Sequence, residues 1–325
     1  MQHKSFACAF RPSFKSGAMA VGSALCLYEN GFRPEMATGS SGGAAAIISF
    51  APWDKETMRS TRKTWLGLTP GKIFKMNWAD DAFLFSLIAV PALHLLPSFA
   101  SSERDKKIER GIKAALSFAL FAGSLKAVFR QPSFFSSAPL RKLLEKNLDP
   151  KKIFSDDAIK LAIIAAKQHS GERSIYTNFL EGDKGNTKKL ILGALASSAI
   201  VPALEPQEGE IDGIFAQGDF LGIDLIERYV NVEKILVFRF YELPLWQEPH
   251  GALEKQDNAN ELIVRDRIDS IIRELPEETL KKIIPVMLDE APRKIDLHDF
   301  TKADLCYLLE KGYEATEKVL PKLLR

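Results

Sequence analysis

Gly39-Ser40-Ser41-Gly42-Gly43 is a G-x-S-x-G pentapeptide, a pattern that can hold a nucleophilic serine on a sharp strand-to-helix turn. The serine backbone is strained in such a turn, and glycines on both sides let the chain pack closely around it. A following helix aims its positive N-terminal end at the hydroxyl, where an anion would develop during attack on a carbonyl. Ser41 is therefore the residue placed for nucleophilic catalysis, with Gly39 and Gly43 shaping its elbow. A base could come from the histidines. In the order Ser, Asp, His of α/β-hydrolases, only His250 and His298 follow Asp212. Both stand in polar or Pro/Gly-flanked stretches and read as solvated side chains. Asp212-Gly213 taken alone reads as a type I′ hairpin turn. No histidine–cysteine cluster has metal-ligand spacing, so neither a metal nor another cofactor is expected.

The elements that would position Ser41 can be read on both sides of it. Residues 35–38 read as a short strand after the Arg33-Pro34 turn, and 44–48 as a buried helix. Only forty residues precede the serine, enough for one strand, one loop and one helix. These are a strand over 5–10, a loop over 11–16, and an apolar helix over 17–30 stopped by Gly31. Later strands are expected over 174–178 and 234–240. Helical periodicity marks 258–273, 276–288 and 301–311, which makes 255–325 a C-terminal helical segment. The stretch 246–260 reads as a mobile loop. The fold class is α/β, a largely parallel sheet with helices on both faces, its site at the carboxyl ends of the strands.

Composition is that of a globular chain: 325 residues, 46% hydrophobic and 26% charged. A net charge of +2, with no basic stretch laced with aromatics, argues against a nucleic-acid partner. Cys8, Cys26 and Cys306 are widely spaced and read as buried free thiols. Lys4, Arg11 and Lys15 followed by 18–27 superficially resemble a secretory signal. Cleavage there would remove the first strand and its loop, so the run reads as a buried helix. The expectation is a cytoplasmic protein, one in peripheral contact with a membrane, or one exported without a cleaved signal. Two apolar runs, 82–96 and 114–125, are too short to be confident spans and form an apolar helical insertion over 76–130. That insertion serves as a cap completing the core or as a lid opening on a membrane, with its phenylalanines, from Phe83 to Phe135, as the apolar contacts in the lid reading.

The order strand, loop, helix, strand, serine, helix is that of the patatin-like phospholipases, and the resemblance extends over most of 5–240. Residues 17–31 resemble the family's first helix, and 32–44 its strand and nucleophile elbow. Residues 194–202 resemble the small-residue segment before its second catalytic motif, and Asp212-Gly213 stands where the family carries Asp-Gly-Gly or Asp-Gly-Ala. The resemblance implies a three-layer α/β sandwich with an inserted helical cap, a single patatin-like domain over 1–325, and a phospholipid or other acyl-lipid substrate.

It also implies a Ser–Asp dyad without histidine. Ser41 would be the nucleophile and Asp212 the base, with Asp219 a second aspartate nearby. The family's Gly-Gly-Gly-x-Arg-Gly oxyanion loop is here Pro12-Ser13-Phe14-Lys15-Ser16-Gly17. Pro12 has no N–H, and Phe14 is bulky where the family is bare. The oxyanion donors would be backbone amides of Ser13, Phe14, Lys15 and Ser16 with that of Gly42. The alternative is a weak or inactive member that binds lipid or a partner through the same pocket, its oxyanion loop degenerate.

Overall fold

A computed structural model of the chain describes residues 4–73, 75–76, 135–200, 204–240, 252–290 and 300–324, with Lys113, Leu116, Ser117, Ser133 and Ile295; at 76 and 252–261 it describes the backbone alone. The insertion expected over 76–130 lies almost wholly outside the described residues, as do His250 and His298. Among the described residues no helix is long and apolar enough to cross a membrane.

The strands are β1 (Phe6–Phe10), β2 (Met36–Gly39), β3 (Lys75–Met76), β4 (Phe135–Ser136), β5 (Lys160–Lys167), β6 (Arg173–Thr177), β7 (Glu210–Asp212), β8 (Lys234–Phe240) and β9 (Ile283–Met287). Seven of them make one sheet in the order β6-β5-β2-β1-β8-β9, with β7 also on β5, while β3 and β4 pair separately. β5, β2, β1, β8 and β9 run parallel; β6 and β7 run antiparallel to β5.

The helices are α1 (Phe14–Glu29), α2 (Gly42–Phe50), α3 (Lys55–Leu66), α4 (Pro70–Ile73), α5 (Ala138–Asn147), α6 (Pro150–Ile153), α7 (Thr187–Ser197), α8 (Ile223–Tyr229), α9 (Ala252–Glu274), α10 (Glu277–Lys282), α11 (Lys302–Glu317) and α12 (Leu320–Leu323). Alternation along the strands divides them between two faces. Cys8, Phe10, Leu161, Ile163, Leu236 and Phe238 pack with α1, α2, α7 and α11 on one side. Ala7, Ala9, Ala162, Ile164, Ile235 and Val237 pack with α8 and α9 on the other. The result is a three-layer α/β sandwich. Local signals start its helices: Asp54 accepts the Thr57 amide at 2.8 Å, and Thr301 with Asp304 closes a capping box.

Three expectations need correction. Residues 276–288 are not one helix, because the helix stops at Lys282 and Ile283-Ile284-Pro285-Val286-Met287 forms β9. The run is rich in β-branched residues, and β9 is an edge strand, which can hold a proline. The segment 255–325 is therefore not wholly helical. Within the supposed mobile loop over 246–260, the described part is helical, since α9 begins at Ala252. The strand β5, absent from the sequence reading, lies second from one edge of the sheet. The three cysteines are free, with Cys8 and Cys26 buried and Cys306 half-buried.

Candidate active site

β2 ends at Gly39, and α2 begins three residues later at Gly42. Between them Ser41 has φ 53° and ψ −127°, a conformation costing a non-glycine residue roughly 1–3 kcal/mol. Tertiary contacts hold it there. The Ser41 N–H donates to Ser197 Oγ at 2.9 Å, and Ser197 Oγ donates in turn to the Ile164 carbonyl at 2.5 Å. Ser198 Oγ lies 3.4 Å from the Ser41 carbonyl. Both serines end α7, so the small-residue segment seen in the sequence reaches the backbone of the elbow on both polar groups.

Strand β5 brings Asp212 to the same level. Gly39 pairs with Ile163 on β5, and where β2 leaves the sheet the same edge of β5 is taken over by β7, with Asp212 opposite Ala165. Ser41 is two residues past Gly39 and Ala165 two past Ile163, so nucleophile strand and aspartate strand meet end to end. Gly213 makes the approach feasible: a Cβ there would stand 2.2 Å from the Ile164 carbonyl oxygen and 2.6 Å from Ser40 Cβ. Asp212 is fully buried. Its Oδ1 accepts the Ile214 N–H at 2.8 Å, while Oδ2 is buried without a formed hydrogen bond. Burial pushes the carboxyl up to about 7, opposed by the Ile214 amide and by the Ser41 hydroxyl. The hydroxyl is thus close enough to act on the carboxyl, although no fully aligned hydrogen bond joins them. Ile211 and Ile214 shield this loop, whereas Phe215 is 44% exposed. Asp219 is committed elsewhere, its carboxylate accepting the amides of Leu221, Gly222 and Asp224 at the start of α8.

The stretch 11–16 is not all loop. Ser13 caps α1, accepting the Ser16 N–H at 3.2 Å, so Phe14, Lys15 and Ser16 form the first helical turn. Ser13 has φ 125°, a region natural to glycine, so it retains the backbone shape of a glycine-rich loop without the glycine. The Ser16 amide is consumed by this cap and is removed from the expected oxyanion donors. Those of Phe14 and Lys15 have no acceptor within the helix. The Gly42 amide likewise has no acceptor in the elbow, where Gly43 and Ala44 donate to Ser40 and Ala45 to Ser41. A Cβ on Gly42 would lie 2.0 Å from the Ser13 carbonyl oxygen, which shows how closely the starts of α1 and α2 converge. Two positive helix ends therefore lie close together beside Ser41.

Ser13, Phe14, Lys15, Ser41 and Gly42 open into one cavity of about 400 Å³. Its walls are α2, α3 and α5, through Ala45, Ile48, Trp65, Leu140, Leu143 and Leu144. The Phe14 ring belongs to that wall, stacked on Trp65 and tilted against Phe300 with centroids 6.3 and 4.9 Å away. Among the described residues, no group of histidine, cysteine and carboxylate side chains could hold a metal. His169, the one described histidine, is exposed in the turn after β5.

A family model for patatin-like phospholipases matches residues 13–219, from the cap of α1 through the elbow to the Asp212 loop. The chain belongs to the patatin-like phospholipase family. The chain also aligns with two solved structures at low identity. VipD from Legionella pneumophila superposes with a TM-score of 0.45 at 15% identity, over 99% of this chain and 67% of that one. The ExoU–SpcU heterodimer of the Pseudomonas aeruginosa type III secretion system gives 0.36 at 15%, over 99% and 52%. The chain thus spans about two thirds and about half of those proteins. No curated protein matches it. As a family of phospholipases, its members are lipid acyl hydrolases.

Two residues of this patatin-like site escaped the sequence reading. Ser197 stood in a recognised segment but carried no sign of its role. Ser197→Ala is expected to cut turnover by about 10- to 100-fold with KM little changed, since the Ser41 amide and Ile164 carbonyl lose their partner in a buried place. Turnover equal to the unaltered protein would show that the elbow holds itself. Arg267 on α9 lies beyond the family match. Its guanidinium donates to the carbonyls of Ile214, Ala216 and Gly218 and lies 4.8 Å from the Phe220 ring centroid, clamping the loop after Asp212. Arg267→Met should lower stability by about 2 kcal/mol or more, measured by urea unfolding, because three carbonyls lose a charged donor. No signal in one sequence could single it out, since the pairing is made only by the docking of α9.

Proposed function

We propose that the chain is a serine lipid acyl hydrolase of phospholipase A or esterase type, working through an acyl-enzyme. Ser41 Oγ attacks the ester carbonyl and passes its proton to Asp212 Oδ2. Amides of Phe14, Lys15 and Gly42 are the donors available to the tetrahedral oxyanion, assisted by the two helix ends. Collapse of that intermediate expels the alcohol, which takes the proton from Asp212. Water then attacks the acyl-enzyme while giving a proton to Asp212; the bond to Ser41 Oγ breaks, Asp212 returns that proton to Ser41 Oγ, and the fatty acid leaves. The supporting observation is the placing of a buried carboxyl, with one unoccupied oxygen and a pKa raised to about 7, behind a strained serine. A carboxylate in water is too weak a base for a serine hydroxyl. Desolvation makes this one stronger while leaving it ionised in a useful fraction at neutral pH.

The apolar cavity suits the acyl chain rather than the head group. Each methylene buried there contributes about 0.8 kcal/mol, so kcat/KM should rise by up to roughly fourfold per carbon until the cavity is full. Leu144→Trp should shorten that series, cutting hydrolysis of long-chain nitrophenyl esters by about tenfold while leaving the acetate ester little changed. A uniform loss at every chain length would place the acyl group elsewhere.

A further inference from the structure

We propose that the outer end of this cavity carries a docking surface for an anionic lipid bilayer. The proposal deepens the reading of the cavity as an acyl site and starts from charge. The two wall-bearing segments, 54–75 and 138–152, hold eleven Lys and Arg against four Asp and Glu, a net +7 in a chain whose net charge is +2. The remaining residues are thus net acidic, and the positive excess is concentrated in the two segments that help to wall the cavity.

The geometry joins the two segments into one surface. Thr64 Oγ1 on α3 donates to Asn147 Oδ1 on α5 at 3.4 Å, and Lys152 Nζ reaches Glu56 at 2.6 Å and Asp54 at 3.3 Å. The cavity opens at this seam, since its lining residues Glu56, Ser60, Asn147 and Asp149 are exposed. Lys63 and Lys146 immediately precede the contact pair. With Arg59, Arg62, Lys142 and Lys151 they are exposed and make no ion pair among the described residues. Of the four acidic groups, Asp54 and Glu56 share the single ammonium of Lys152. Long-stemmed cations around the polar mouth of an apolar cavity match a phosphate-bearing surface that must release an acyl chain into that cavity. Each Lys or Arg held near an anionic membrane strengthens binding by roughly fivefold at physiological ionic strength.

The test uses the full chain carrying Ser41→Ala, so that no lipid is consumed, and vesicles of phosphatidylcholine with or without 30 mol% phosphatidylglycerol (about one lipid in three). Sedimentation should show binding to the anionic vesicles, little to the zwitterionic ones, and weakening in high salt. Replacing Arg59, Arg62, Lys63 and Lys146 by Gln should reduce binding by about a hundredfold or more. A control replaces Lys188, Lys281, Lys318 and Lys322 by Gln, removing equal charge away from the cavity, and should stay within about fivefold of the parent. Thermal melting confirms that each variant is folded. Equal binding to both vesicle types, no binding to either, or equal losses in the two quadruple variants would overturn the proposal. Because Ser41 is already removed, these outcomes are independent of whether Ser41 and Asp212 catalyse hydrolysis.

Discussion

Ser41→Ala is expected to abolish both ester hydrolysis and labelling by a fluorophosphonate, with an unchanged thermal melt. Only an activated serine reacts rapidly with such a probe, and the elbow presents a single hydroxyl to the cavity. Ser41 lines it, whereas Ser40 Oγ is fully buried without a partner. Loss of the nucleophile should cost about six orders of magnitude in turnover, as in other serine hydrolases where it acts as part of a unit. Mass spectrometry of the labelled protein checks the assignment directly. A probe found on Ser40, or turnover surviving in the alanine variant, would remove the elbow from the chemistry.

Asp212→Asn should lower turnover by roughly a thousandfold or more, because the amide preserves shape and the Ile214 hydrogen bond but cannot accept a proton. In the unaltered protein, kcat/KM should rise about tenfold per pH unit below 7 and level off above it, following ionisation of the carboxyl. The same shift has an opposite consequence for stability. Below about pH 4 the carboxyl is neutral both folded and unfolded. Between about pH 4 and 7 the unfolded chain ionises while the folded protein does not, so stability falls as pH rises. Above 7 the penalty is constant, on the order of 4 kcal/mol. The variant should therefore be dead yet more stable than its parent at pH 8, with the advantage vanishing near pH 4. The gain is smaller than the full penalty, since the new amide also needs a partner. Denaturant melts across that range measure it. Alanine at His250 and His298 should leave most activity; if either is as damaging as Asp212→Asn, a histidine is the base.

How far these residues can be read before folding depends on the range of the interactions that shape them. The elbow is legible because five consecutive residues carry it: small residues allow the turn, and the apolar run after it makes the helix. β1, β2 and β8 are legible for the same reason, as short apolar runs bounded by turn signals. The start of α1 was misplaced by three residues because Pro12-Ser13 suggests a loop, whereas Ser13 accepts a backbone amide and opens a helix. β9 was read as helix because Ile283 to Met287 continues a helical apolar period, and only the parallel alignment on β8 settles its state.

Sequence by itself determined the local chemistry of this protein: a serine in a strained turn, and an aspartate–glycine pair whose meaning came from family resemblance. Tertiary structure decided that the two meet, because β5 measures both strands against one edge and Gly213 leaves room for contact with Ser40. It also decided the ionisation of Asp212, since a raised carboxyl pKa comes from burial by residues far apart in the chain. The serine clamp at Ser197, the Arg267 clamp and the apolar cavity between α3 and α5 are of the same kind. Each depends on groups brought together by sheet register and helix docking, and none of the three is encoded in any single stretch of residues.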